Sequence, residues 1–488
     1  MDSINRIRFS GIASGLDTEN IVKNLMNIEQ MKVDRQIQKK TLLEWKRDEY
    51  RNINNRLRTL REQNVFNLKL QGTFLAKKVA SSDESALSAT ASFNTLEGSY
   101  TVTVNKLAKA ASFTATPADL GENGLVPVET EASFTINGGE GREDVTITVG
   151  HSDTLASVVA KINANSSKSG VRAMYDENLN KLFLTSTSTG EKAAINITGG
   201  DEDLLSNLGL TTGNLGTGQN AEIIFNGETL TFASNQFSLF DIDMTLKKAG
   251  ETVDITVNKD IDSAIEQIKS FVEQYNTIME DIGTKLSEKR YRDYPPLTDA
   301  QKEEMEEKEI EKWEEKARSG LLRADSLLSS IASSLRMTLG GVVETGSKYK
   351  TLSSIGITTS SNWNDKGKLY LDEEELRKAL TEDLDGVMKI FSNNSEDPKA
   401  LGIARKLDDM LLGHMESVAS TAGRNIIGAD ESYLGREIMR MDKGIKEMQD
   451  RFIQLEESYW RKFTAMEKAL QRMQSQSDWL SNQLQGLG

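Results

Sequence analysis

The sequence contains no cysteine. That excludes disulfides, thiol nucleophiles and zinc sites built on sulfur. Histidine is almost absent: His151 and His414 are the only two, too few for a multi-histidine metal centre or a Ser-His-Asp relay. Proline is scarce, with five residues, none before position 117 or after 398, so both ends are free of the residue that interrupts long helices. There is no run of about 20 apolar residues, hence no expected membrane span. Arg6 and Arg8 are followed only by short apolar stretches, which do not make a cleavable secretion signal. The protein is expected to stay in the cytoplasm or to leave by a route that reads no such signal.

What is present is unevenly distributed. A length of 488 residues is more than one core usually supports, and about three domains are expected. The net charge of −15 argues against nucleic-acid binding. Residues 1–80 nonetheless hold 16 Lys+Arg against 9 Asp+Glu, an excess that reads as a solvated basic helix face ahead of a contact surface for anionic partners.

Three textures follow one another along the chain. Leu43, Tyr50, Ile53, Leu57 and Leu60 recur mostly by threes and fours, the pattern of a helix packed on a helix. Before them Asp17 is an N-cap candidate for a shorter run of Ile21, Leu25 and Ile28. From about Val79 the period changes to two. Ser99–Val104, Ser133–Ile136, Val145–Val149, Lys181–Thr185, Ala193–Thr198, Glu222–Phe225 and Thr252–Val257 read as strands. Asn137-Gly138 and Asn226-Gly227 read as hairpin turns. One helix is expected among them, capped by Asp153, and the glycine-rich stretch Gly209 to Gly218 reads as a joint between two β domains.

Helical period returns at Asp260 with Ile261, Ile265, Ile268, Val272 and Tyr275. Pro295-Pro296 interrupts it, and Thr298 with Gln301 offers a capping box ahead of the charge-dense stretch 302–318. A hairpin is expected at 355–371, with Asp372 capping the next helix. The strongest periodicity closes the chain: Ile438, Met441, Ile445, Met448, Phe452, Leu455, Tyr459, Met466, Met473 and Leu480, interrupted only by small or polar positions. Such a helix would run roughly 60 Å, and its 3.5-residue period implies a supercoiled partner. The natural partner is the N-terminal helix. The expected fold is α+β and multidomain: long coiled-coil legs made by both chain ends, with two β-rich domains inserted between them. The expected boundaries are 1–42 and 438–488 for the terminal helical domain, 43–78 and 260–437 for the leg, 79–114 and 211–259 for one β domain, and 115–210 for an outer β domain.

Several fragments imitate active motifs and fail on context. Gly341 to Lys348 has the lysine after the hydroxyl residue, so it cannot serve phosphates and magnesium as a phosphate loop does. Gly216 to Ala221 precedes a strand, whereas a dinucleotide fingerprint opens a helix. Asn362, Asn364, Lys366, Gly367 and Glu373 have calcium-loop spacing but put a lysine where an oxygen is needed. The residues alone describe a non-catalytic, elongated protein that assembles through its helical ends, with no cofactor and no metal.

The opening Ser10 to Asp17, including Ser14, Gly15, Leu16 and Asp17, resembles the signature of the flagellar hook-associated protein 2 family. Residues 221–260 are similar to its middle region, residues 320–391 to its later pattern, and Tyr459 to Met466 with Gln471 to Leu484 to its closing helix. Phe134 to Gly138, Leu155 to Asn163 with the pair Ile162-Asn163, Val171 to Ala173 and Leu182 to Ser186 resemble a repeat module of outer domains in flagellar axial proteins. The charged stretch at 289–318 is outside the family pattern. The resemblance implies a ring, pentameric by expectation, at the distal tip of the bacterial flagellar filament. It also implies retention and folding of exported flagellin, and export without a cleaved signal by the flagellar type III system. Flagellin, hook–filament junction proteins and an export chaperone at the C-terminal end are the implied partners, with host mucin or glycans for some members. Neither nucleic acid nor membrane insertion is implied. Another axial protein, of flagellin or junction type, and a tip adhesin are the rival readings.

Overall fold

The computed structural model describes residues 17–119, 125–127, 130–360, 365–424 and 430–485. The chain divides into two compact units, Met1–Thr73 with Ala264–Gly488, and Phe74–Ser263.

In the first unit the N-terminal helix runs from Thr18 to Thr59, and the Asp17 carboxylate accepts the Asn20 N–H at 3.0 Å as its cap. Its buried face at the start is Val22, Met26 and Val33, whereas Leu25 and Ile28 are exposed. The expected stripe of Ile21, Leu25 and Ile28 is therefore one position out of phase, and one position turns a helix by about 100°. Tyr50, Ile53, Leu57 and Leu60 are buried as their spacing requires, while Leu43 is half-buried. At Leu60–Val65 the helix widens into a π-turn, and the buried Asn64 donates to Ser270 Oγ at 2.9 Å.

Antiparallel to this stretch lies the helix Ile261–Ser287. Its buried row Ile265, Ile268, Val272, Tyr275, Met279 and Ile282 contains four of the five periodic residues read from the sequence, and the fifth, Ile261, is half-buried at the helix start. The strands Ile357–Thr359 and Leu369–Leu371 pair as a hairpin, and the Asn276 amide both accepts from Leu369 N–H and donates to its carbonyl, each at 2.8 Å. Asn362 and Asn364 of the expected turn lie outside the described residues. Asp372 caps Glu373–Glu382 through the N–H groups of Glu374 and Glu375.

The charged stretch folds back on the unit. Thr298 and Gln301 form the expected capping box, but the helix is in two pieces, Asp299–Glu303 and Glu307–Arg318. Trp313 donates its indole N–H to Pro295 O at 2.7 Å and packs on Tyr294. Gln38 donates to Pro296 O at 2.9 Å, and the Arg318 guanidinium lies 4.4 Å above the Trp45 ring. The excursion is thus fastened to the N-terminal helix at two points.

The second unit holds two separate cores. In the first, five strands run in the order Lys77–Ser81, Glu251–Lys259, Gly98–Lys106, Ala221–Phe225 and Glu228–Phe232, and a second sheet orders Gln236–Leu239, Ile242–Leu246 and Leu87–Ala91. Val102, Val104, Ile223, Val253, Ile255 and Met244 fill the space between. Asn226 and Gly227, at φ +51° and +93°, form the expected two-residue turn, where both central residues must enter the left-handed region.

The outer core lies between a four-stranded sheet (Gly213–Thr217, Ala193–Gly200, Glu131–Gly139, Val145–Gly150) and a three-stranded one (Ala110–Ala115, Lys181–Thr189, Val171–Asp176). Phe134, Ile136, Ile147, Ile162, Leu184 and Leu208 pack there. Four expectations are corrected. The outer module takes in Ala110–Ala115 and Gly213–Thr217, beyond 115–210, because these strands hydrogen-bond to Lys181–Thr189 and Ala193–Gly200. The glycine-rich stretch is mostly inside the module. Gly209 ends the helix Glu202–Leu208 at φ +68°, and the joint is at Lys109 and Gln219, which exchange N–H···O bonds of 2.8 and 2.9 Å. Asn137-Gly138 is not the hairpin turn but a bulged part of a strand; Asn137 Oδ1 accepts from Gly139 N–H at 2.7 Å, and the chain reverses after Gly139. Finally, Thr154, with Ser157, caps Leu155–Ala164. Asp153 instead accepts from Gly150 N–H, Ser157 Oγ and Lys161 Nζ.

Candidate assembly seam

The C-terminal helix, Tyr433–Gln485, has 53 residues and packs along the N-terminal helix. Two ion pairs set the direction. Lys40 Nζ lies 2.6 Å from Asp442 Oδ1, and Arg51 Nη2 lies 2.7 Å from Asp430 Oδ2. Position rises along one strand of the pair as it falls along the other, so the helices are antiparallel. Arg51 also donates through Nε to Ala422 O at 2.8 Å. Burial raises the Asp430 pKa, but the Ser432 hydroxyl and N–H, with Arg51 and Arg47, outweigh it and hold the carboxyl below its ordinary value. The Asp442 carboxylate raises Lys40 above the usual lysine range.

Beside the seam, Tyr50 is buried and donates its hydroxyl to Asp325 Oδ2 at 2.5 Å. Asp325 accepts through its other oxygen from Leu327 and Leu328 N–H, capping the helix Ser326–Leu339. Burial pushes the Tyr50 pKa up, and the facing carboxylate adds to it. Periodicity brought Tyr50 to notice only as an apolar knob. Its polar end was not legible, because the partner is 275 residues away.

The seam residues do not share one environment. Ile438 and Ile445 are buried, and Met441, Met448, Phe452, Leu455, Tyr459 and Met466 are half-buried. Met473 and Leu480, expected to continue the seam, are 58% and 54% exposed, with Trp479 between them at 62%. The register explains the change. Counting back from Lys40 opposite Asp442, Thr18 falls opposite roughly residue 464 at equal rise per residue. Beyond that point the C-terminal helix has no described helix beside it.

The signature residues separate. Ser14, Gly15 and Leu16 lie outside the described residues, and Asp17 is the helix cap. Ile162 and Asn163 are far along the chain in the outer module, where Ile162 is fully buried. Asn163 donates to Ala173 O and accepts from Ala173 N–H, both at 2.9 Å. Its amide takes the part of a neighbouring strand, which is a fold-holding role.

The profile described as flagellar hook-associated protein 2 C-terminus matches residues 218–475, and that of the N-terminus matches residues 14–111. The chain belongs to the flagellar hook-associated protein 2 family. A flagellin hook IN motif matches residues 133–188, within the outer module. Flagellar hook-associated protein 2 of Halalkalibacterium halodurans is 31% identical over 96% of this chain and 98% of its own length. That of Thermotoga maritima is 30% identical over 77% of this chain and 60% of its own. The crystal structure of the flagellar cap protein FliD D1-D2-D3 domains from Escherichia coli matches 80% of this chain and 99% of that one at a TM-score of 0.57 and 24% identity. Helical ends with β domains inserted between them are thus the shared architecture of this filament-cap family. No helix among the described residues is long and apolar enough to cross a membrane, and no cluster of potential metal ligands is found among them.

Proposed function

We propose that the protein caps the distal end of the bacterial flagellar filament as a ring-shaped homo-oligomer, a pentamer by expectation, and acts structurally, without turnover. In this reading it retains exported flagellin and promotes its folding and insertion as the filament grows. It reaches the tip through the flagellar type III route with the help of a chaperone at its C-terminal end, and contacts hook–filament junction proteins before the first flagellin arrives. The observation that carries the reading is the bare end of the seam: Met473, Trp479 and Leu480 exposed on a helix that a neighbouring subunit could cover. Apolar heptad positions left in water are a surface for association.

The test is deletion of the gene and complementation with the full chain or with residues 1–468. Cells lacking the protein are expected to shed flagellin into the medium, and the full chain to restore filaments. Restoration by the truncated chain would defeat the reading. Normal filaments in the deletion strain, with lost attachment to mucin or glycans, would favour the adhesin. Purified protein forming filaments without rings would favour another axial component.

A further inference from the structure

The N-terminal helix carries two kinds of surface on opposite sides. Gln38, Trp45, Glu49 and Arg56 meet the charged excursion and the helix Ile261–Ser287: Gln38 reaches Pro296 O, Trp45 lies under Arg318, Glu49 pairs with Lys285 at 2.9 Å and Arg56 with Asp281 at 2.6 Å. Arg47, Arg51, Asn54 and Arg58 form a second row. At about 100° per residue the two rows fall on opposite faces.

Arg51, Asn54 and Arg58 of the second row border a groove of about 310 Å³ between the N-terminal helix and Ile403–Ala422. Leu412, Met415 and Ala419 contribute its apolar lining, with Arg58, Arg424 and Glu416 also bordering it. Arg58 and Arg424 are exposed and pair with no carboxylate among the described residues; Arg58 donates only to Asn55 Oδ1. The groove is cationic, part apolar and unfilled by side chains of the described residues.

On the other side, Glu307–Arg318 presents the complementary surface. Glu307, Glu311 and Glu315 recur every four residues, all are exposed, and none is ion-paired among the described residues. Lys308 and Lys312, also exposed, interleave as donors. Within one chain this helix is held by Trp313 and Arg318 on the side of Trp45, away from the groove, so the two surfaces cannot meet.

We infer that the exposed row Glu307, Glu311 and Glu315 on the helix Glu307–Arg318 of one copy docks into the groove bordered by Arg58 and Arg424 of the next. Two different patches on opposite faces of one helix make a heterologous contact, the kind that generates a closed ring when the rotation between copies permits. The charged excursion is then a lateral tie between subunits. The inference rests on the self-assembly proposed above.

The absence of native cysteine makes the test direct. Full-length Arg58→Cys and full-length Glu311→Cys are mixed, oxidised and run on a non-reducing gel. Heterodimers are expected from the mixture and not from either protein alone, and a ladder from the doubly substituted chain. In parallel, Glu307→Lys/Glu311→Lys/Glu315→Lys and Arg58→Glu/Arg424→Glu should each weaken association at least about tenfold by sedimentation, and mixing the two should restore it. An oligomer that persists with neither coupling nor charge dependence would overturn the contact while leaving self-assembly standing. A chain that stays monomeric by sedimentation, with no coupling, would overturn both.

Discussion

Lys40 and Asp442, 2.6 Å apart, join the two ends of the chain at a point where neither side chain is fully buried. Lys40 is about one quarter exposed and Asp442 about one half. Such pairs contribute about 0–1 kcal/mol and weaken with salt. The pair therefore sets direction and register, while the apolar seam beneath supplies the stability.

The first prediction separates those roles. Lys40→Ala should lower the unfolding free energy by less than about 1 kcal/mol, and the loss should vanish in high salt. Leu57→Ala, at a fully buried position, should cost about 2–5 kcal/mol at any ionic strength. Urea titrations of the two variants measure both, and equal losses would refute the division.

A second contrast lies along the C-terminal helix. Ile438→Ser with Ile445→Ser should destabilise the isolated chain, because both side chains are buried. Met473→Ser with Leu480→Ser should leave its unfolding midpoint unchanged and abolish filament growth in complemented cells. Wild-type filament length in the second variant would remove these two residues from the assembly interface.

The third concerns acid. Lys161, Gly150 N–H and Ser157 hold the Asp153 pKa at about 2, against an ordinary 3.8. A carboxylate whose folded pKa is depressed contributes stability above its unfolded value and loses it as pH falls through the folded one. Asp153 should contribute at most about 2 kcal/mol at neutral pH, fading between roughly pH 4 and 2. Asp153→Asn should be less stable than wild type at pH 7 and equal to it at pH 2 by thermal unfolding of the outer module. A constant gap across that range would exclude the linkage.

The fourth follows from the two separate cores of the β unit. Residues 110–217 expressed alone should unfold in one cooperative transition, since their apolar residues pack on each other. A soluble fragment with no thermal transition would refute that boundary.

Legibility followed the physics of each element. The long terminal helices and Ile261–Ser287 are readable because a repeated 3–4 spacing over many turns has few competing explanations. The strand Gly213–Thr217 is not, for Gly-Asn-Leu-Gly-Thr has no alternation, and its place is dictated by the neighbour Ala193–Gly200. Asn137-Gly138 has the composition of a turn. Yet a Cβ at position 138 would approach the Ser169 carbonyl to 2.6 Å, so the glycine there serves a close backbone crossing. At the seam, spacing identified which residues are apolar but not where the partner helix stops. Met473 and Leu480 therefore read like Ile438 although their surroundings differ.

The antiparallel seam also orders events in time. Lys40 and Asp442 are separated by roughly 400 residues of chain, so closing them is among the most non-local steps the fold contains. The β unit has all its strands long before the last helix exists. A chain halted before Tyr433 would keep those sheets and lose the pairing that joins its ends. The seam thus distinguishes a whole chain from one that is well folded only in its middle.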